Sequence, residues 1–358
     1  ARAAGDAALQ LWAAHGASTS SAAIELTKHM AAMKLMLYGE GPEQPPDKQL
    51  VLELAREVLR TNLFALILPQ LPALDFECRK DITQIFSSLL RKQHDGDHIT
   101  VSWVEEHPET MGTLLRGYAQ PEVAINYGTM FRECVRHERL ARLVLPWPVP
   151  APPAVVPVTN PPPSCPTTGS VGSAQQQSNT GEQSSADKET SFYVLFDFVE
   201  SPFFDVASDA FASLKDVLTK HKTLSGQFLE ASPNFFDIYM RLVTSNNYVT
   251  RRQSLKLLGE LLLDRSNFTT MTRFISSVDR LRTIMNLLRD RSSSIQYEAF
   301  HVFKIFVANP RKDPRVRDVL MRNREKLISF MSEFQNERAD EQFAEEKKFI
   351  ISEIANLA

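Results

Sequence analysis

Glycine is scarce in this chain, with 13 residues in 358 against 22 phenylalanines. So few glycines among many Leu, Phe, Arg and Glu exclude a turn-rich β-sandwich or barrel and favour helices. Cysteine is scarcer still. Cys78, Cys134 and Cys165 show no tight pairing, so no disulfide framework is expected, and a reducing, cytoplasmic setting is. No apolar run approaches the roughly 18 residues that a membrane span requires. Residues 1–20 are Ala-rich but lack a basic start followed by an apolar block, so no signal peptide is evident. Walker, GxGxxG, HExxH, GxSxG and EF-hand patterns are all missing, and with them the usual signatures of nucleotide, metallopeptidase, hydrolase or calcium chemistry. No catalytic residue, metal or cofactor is assigned from these patterns.

What is present is a foldable chain. The hydrophobic fraction is 43% and the charged fraction 23%, enough apolar side chain to bury a core. One stretch departs from this. Residues 146–191 hold ten of the 21 prolines, a Gln/Ser run at Gln175–Ser178 and only four charged residues. Such a segment cannot offset its ordering entropy by burial, so it is expected to be a disordered insertion. It divides the chain into helical repeats over 22–145 and 192–355, read as one continuous solenoid.

Both flanks carry helical periodicity. Leu50, Leu54 and Val58 mark 48–60; Ile82, Ile85, Phe86 and Leu89 mark another helix; so do Ala124, Tyr127, Phe131 and Cys134. After the insertion, the spacing predicts helices over 206–219, 250–263 and 295–308. The helices are related: Phe86 aligns with Phe131, and Leu214 with Leu258 and Phe303, at steps of 45, 44 and 45 residues. That period falls in the range of about 40–47 residues of armadillo and HEAT repeats. Leu255, Leu257, Leu258, Leu261, Leu262 and Leu263 nearly encircle one helix, as expected for the inner helix of a three-helix repeat. The fold class is all-α, an armadillo/HEAT-like solenoid.

Two small clusters have metal-ligating or nucleophilic residue types. His94, Asp95, Asp97 and His98 form HDGDH, read as a Gly-containing polar turn in preference to a zinc site. Cys134 and His137 stand one helical turn apart without an orienting third group, so Cys134 is assigned to the core and His137 to the surface. The stronger asymmetry is charge. The chain carries a net −3, yet residues 241–326 hold 18 Lys/Arg against eight Asp/Glu. Such a block attracts an acidic partner. Without an RNP-like or Gly-rich motif, and at a pI near 6.3, nucleic acid is a weaker reading than an acidic, aromatic peptide.

The same residues resemble the calcium-binding protein 39 family, also called mouse-protein-twenty-five scaffolds. The likeness runs through DFECRKDITQIFSSLLRKQ (75–93), GYAQPEVAINYGTMFRECVRHERLA (117–141), ASDAFASLKDVLTKHKTLS (207–225), NYVTRRQSLKLLGELLLDRSNFTTM (247–271), RTIMNLLRDRSSSIQYEAFHVFKIFVANP (282–310) and FQNERADEQFAEEK (334–347). It covers roughly 22–145 and 192–355. The resemblance implies an armadillo-like scaffold without enzymatic activity. It implies binding to the STRAD pseudokinase and germinal-centre-type kinases, whose fold such scaffolds hold in the active form, in assemblies with kinases such as liver kinase B.

Two surfaces follow from the resemblance. A pocket for a Trp-Glu-Phe tail falls on Arg265, Phe268, Arg282, Met285, Arg322 and Lys326. Relatives commonly have Lys where this chain has Arg282 and Arg322, so a planar fork replaces a point charge. A concave face that cradles the kinase domain falls on Phe204 and Arg252. Core packing beside Phe203 is the competing reading for Phe204, and a surface salt bridge for Arg252. The insertion is the main departure from the family pattern and is expected to loop out without breaking the stack.

Overall fold

The computed structural model describes residues 20–39, 45–94, 96–146 and 192–357. The Ala-rich start, Asp95, Cys165 and nearly all of the expected insertion lie outside the described residues. The helices are α1 (Ser20–Tyr38), α2 (Lys48–Arg60), α3 (Leu63–Ile67), α4 (Phe76–Arg91), α5 (Ile99–Glu106), α6 (Glu109–Arg116), α7 (Ala124–Val135), α8 (Glu138–Val144), α9 (Val194–Val199) and α10 (Phe204–Thr219). They continue as α11 (Lys222–Ala231), α12 (Phe235–Val243), α13 (Tyr248–Leu263), α14 (Phe268–Ile275), α15 (Val278–Leu287), α16 (Ser293–Ala308), α17 (Pro314–Arg322), α18 (Arg324–Glu333) and α19 (Glu341–Ala355). Among the described residues there is no strand, only a single bridge between His94 and Asp97. No described helix is long and apolar enough to cross a membrane.

After α1 the helices come in threes, and the third of each set packs on the third of the next. The resulting spine runs α1, α4, α7, α10, α13, α16, α19, each helix against its successor. The aligned positions explain the repeat period. Phe86, Phe131, Leu214, Leu258 and Phe303 each sit in a successive spine helix and are 0% exposed. One buried side chain per repeat at one helical register is what a stacked array requires.

Four spine helices, α4, α13, α16 and α19, begin where a short polar side chain accepts from orphan amides. The Asp75 carboxylate accepts from Cys78 N–H at 2.9 Å, Asn247 Oδ1 from Val249 N–H at 2.9 Å, and Asp340 from Phe343 N–H at 3.0 Å. Ser292 Oγ accepts from Ile295 N–H at 3.5 Å. These caps start α13 and α16 two residues earlier than the apolar periodicity does. The leucine-rich helix also differs from expectation. Leu255, Leu257, Leu258, Leu261 and Leu262 are buried, but Leu263 is 60% exposed and the stripe Tyr248, Arg252, Lys256, Glu260 faces outward. The helix is enclosed on three sides and open on the fourth.

The stack is continuous where the insertion departs. Phe192 N–H donates to the Val144 carbonyl at 3.1 Å, and α7 packs directly on α10. A buried polar cluster reinforces that seam. The Tyr118 hydroxyl donates to Asp209 Oδ2 at 2.6 Å and lies 2.7 Å from Ser213 Oγ; Arg132 Nη1 donates to Asp209 Oδ2 at 2.7 Å. Gly128 makes room for it. A Cβ there would fall 1.8 Å from Asp209 Oδ2 and 2.3 Å from the Tyr118 hydroxyl.

Ion pairs join successive spine helices. Lys34 meets Asp81 at 2.7 Å, Arg91 meets Glu133 at 2.9 Å, Arg132 meets Asp209 at 2.7 Å, Lys215 meets Glu260 at 2.8 Å and Lys304 meets Glu346 at 2.7 Å. Among the described residues, the seam between α13 and α16 has no such helix-to-helix pair.

Candidate binding surfaces

The outward stripe of α13 lies in that unpaired seam. Residues four apart on a helix share one face, so Tyr248, Arg252, Lys256 and Glu260 stand in a row. Only Glu260 of the row is in an ion pair, with Lys215 of α10. Arg252 reaches the Tyr248 hydroxyl but has no carboxylate in ion-pair distance among the described residues, and neither does Lys256. The nearby acid is Glu298 on α16, whose carboxyl is pushed above its ordinary range by burial, with Lys256 and Arg252 opposing that shift. Tyr248 has its hydroxyl held below its usual range by hydrogen bonds with Ser294 and Ser292, with a smaller contribution from Arg252.

Arg251 and Arg252 show how position decides an arginine's role. Arg251 is half-buried, donates to the Ser245 carbonyl at 2.8 Å and meets Asp290 at 3.4 Å. Arg252, one residue on, is exposed. Among the described residues Arg252 therefore reaches the Tyr248 hydroxyl but is in no surface salt bridge. Phe204 is likewise 66% exposed and Phe203 56%, so neither is a core residue. They open α10, which has no side-chain cap.

The six C-terminal positions lie on neighbouring elements. Arg265 is in the 3₁₀ turn Arg265–Asn267, and Phe268 begins α14, 67% exposed. Arg282 and Met285 are three apart on α15 and so share a face. Arg322 ends α17 and Lys326 lies in the first turn of α18. Contacts of α14 with α15 and of α15 with α17 hold these elements together, although no hydrogen bond or ion pair joins any two of the six side chains. Met285 is half-buried and rests on the core, while the other five are exposed. Two of the cations have local partners: Arg282 meets Asp279 at 3.2 Å, and Arg322 forks onto Asp318 at 2.9 and 3.1 Å. Both carboxylates are themselves exposed, so these pairs are weak and exchangeable. Arg265 and Lys326 have no ion-pair partner among the described residues.

This patch can hold an acidic group among several cations while an aromatic ring covers Phe268 and Met285. Thioether and ring surfaces suit adaptable aromatic contact. The sequence reading passed over a cleft of about 640 Å³ beside Arg265, between α10, α11 and the end of α13. Exposed Leu263 forms one of its edges.

The polar clusters have structural roles. His94 and Asp97 exchange backbone hydrogen bonds of 2.8 and 2.9 Å around Gly96 at φ +86°, which is the expected Gly turn. Among the described residues no group of three or more His, Cys, Asp or Glu could hold a metal ion. Cys134 is 0% exposed and burial pushes its thiol far up, away from the reactive thiolate; burial also pushes Cys78 to about 11. His137 departs from its expected surface position. Half-buried, its ring lies 4.9 Å from that of His98, and burial, then His98, holds it below its ordinary value.

Comparison with known proteins supplies a family. A family model described as Mo25-like matches residues 2–358. "Calcium-binding protein 39-like" of Mus musculus is 42% identical over 341 residues, 95% of this chain and 88% of that protein. "MO25-like protein 2" of Caenorhabditis elegans is 42% identical over 96% of this chain and 91% of its own length. "Mo25-like protein" of Schizosaccharomyces pombe is 39% identical, with 93% and 89% covered.

Proposed function

The chain belongs to the Mo25-like family, and from that premise we propose that it is a non-enzymatic scaffold for a protein kinase or pseudokinase of the STRAD or germinal-centre type. In this reading the C-terminal repeats capture a Trp-Glu-Phe-like tail on Arg265, Phe268, Arg282, Met285, Arg322 and Lys326. The outward face of the spine receives the kinase domain at Phe204 and Arg252 and stabilises its active form, a cytoplasmic signalling role.

The observation that carries the reading is the gap in the spine's ion-pair ladder. At the α13–α16 seam Arg252 and Lys256 have no paired carboxylate, and exposed Phe204 stands on the adjoining spine helix. Unpaired cations beside an exposed aromatic ring suit a protein surface with acidic and apolar groups better than they suit solvent.

A kinase assay tests this. A germinal-centre-type kinase domain is assayed alone, with this protein, and with its Arg252→Ala variant. Stimulation by the wild type and its loss in the variant, with tail-peptide capture retained, is the expected result. No stimulation by the wild type would leave a plain adaptor for acidic aromatic peptides. Steeply salt-dependent binding of RNA, lost in Arg252→Ala, would instead favour nucleic-acid recognition by the 241–326 block.

A further inference from the structure

The cleft shares Arg265 with the six-residue patch but is walled by different elements, and its chemistry can be worked out from those walls. Leu263 supplies apolar surface, 60% exposed at the end of α13, where a polar residue could stand without disturbing the core, and Leu261 is buried behind it. Both acids in the walls are neutralised. Glu260 meets Lys215 at 2.8 Å, and Asp264 meets Lys222 at 2.9 Å. The hydroxyls are engaged as well. Thr219 Oγ1 donates to the Lys215 carbonyl at 2.8 Å, Ser225 Oγ to the Leu218 carbonyl at 2.6 Å, and Ser266 Oγ to Asp264 at 2.7 Å. Two lining groups are left uncompensated among the described residues: the Arg265 guanidinium, which has no partner, and the buried Asn267 Oδ1, which accepts no hydrogen bond. The volume, about 640 Å³, lies within the range of roughly 300–1,000 Å³ typical of ligand sites.

A neutral, apolar-edged cleft with one free guanidinium selects a ligand with one carboxylate and one apolar side chain. The chain path indicates its source. Arg265–Asn267 is a single 3₁₀ turn and Phe268 follows it directly, so the cleft and the Phe268 ring stand at opposite ends of one turn. A three-residue 3₁₀ turn rises about 6 Å and an extended peptide advances about 3.3 Å per residue, so about two residues cross that turn.

We propose that this cleft is a second subsite for the partner's tail. It takes the residues that precede the Trp-Glu-Phe end, with an apolar side chain against Leu263 and a carboxylate on the cleft side of Arg265. The proposal rests on the tail-capture reading above and adds a specificity element to it: partners are selected by an acidic-apolar stretch upstream of the aromatic end.

Fluorescence polarisation with three labelled peptides tests it. One is the Trp-Glu-Phe tripeptide with a free carboxylate. The second adds an N-terminal extension with two leucines and two glutamates. The third replaces those four residues with serine. The acidic-apolar extension should tighten binding to the wild type about tenfold over both other peptides, a gain consistent with one buried side chain and one ion pair after ordering costs. Leu263→Glu and Lys222→Ala, both at exposed side chains, should abolish that gain and leave tripeptide binding unchanged. Equal binding of the three peptides to the wild type, or a gain that survives Leu263→Glu, overturns the subsite while tail capture stands. No binding of any peptide overturns the tail-capture reading and the subsite with it.

Discussion

The α7–α10 seam and the α13–α16 seam join equivalent helices of successive repeats but treat their charges in opposite ways. In the first, Arg132 is held by Asp209 and Ser213, Tyr118 completes the cluster, and Gly128 leaves room for it. In the second, Arg252 and Lys256 are in no ion pair and the nearby carboxylate, Glu298, is half-buried. The difference separates two uses of arginine on one scaffold. A paired, half-buried cation fixes the register of the stack, while an unpaired exposed one is left for a partner.

The most disruptive way to break this contrast is at Asp209. Asp209→Asn leaves the half-buried Arg132 without its paired carboxylate, and unfolding free energy should fall by about 2–3 kcal/mol in urea titration. A loss below about 0.5 kcal/mol would show that the cluster does not hold the seam. Gly128→Ala forces a methyl group into the same cluster and should cost about 1–3 kcal/mol by overpacking. Arg252→Ala, at the open seam, should change stability by less than about 0.5 kcal/mol while abolishing kinase stimulation. A large stability loss there would mean that Arg252 belongs to the architecture.

The contrast can also be sharpened by making the second seam resemble the first. Ser294 contacts Tyr248 beside Arg252, so Ser294→Glu supplies the missing carboxylate. Stability should rise by no more than about 1 kcal/mol, as for a surface pair, and kinase stimulation should fall. The smallest expected effect concerns pH. His137 faces His98 across its ring and has Glu133, Arg136 and His221 nearby. Its folded pKa lies below the unfolded value near 6.5, so the folded state binds fewer protons. Its contribution to stability is present above that value and is lost as pH falls through the folded pKa. His137→Asn, which places a favourable capping residue at the start of α8, should flatten the decline in urea midpoint between about pH 7 and 5.

Much of the architecture was legible because burial is periodic. On each side of the insertion Phe86 and Phe131, then Leu214, Leu258 and Phe303, recur at the repeat length, and all five are fully buried in spine helices, four of them at the eleventh position. Helix starts were less legible, since Asn247 and Ser292 cap α13 and α16 outside the apolar pattern. The charge pattern was least legible of all. A local excess of Lys and Arg is visible in the sequence, but which of them are engaged depends on partners far along the chain. Arg132 finds Asp209 77 residues away, and Lys215 finds Glu260 45 residues away. Adjacent Arg251 and Arg252 are indistinguishable by composition and are separated only by the turn of the helix. Leu263 reads as core by its neighbours, yet it lies past the last buried turn and forms an edge of the cleft.

The most direct test of tail capture is a polarisation titration of a fluorescein-labelled Trp-Glu-Phe peptide against the wild type and Met285→Ala. Met285 is half-buried beneath the patch and carries no charge, so its loss removes the apolar wall alone. Saturable binding in the micromolar range that is lost in Met285→Ala is the expected result, and equal binding by both proteins would contradict it.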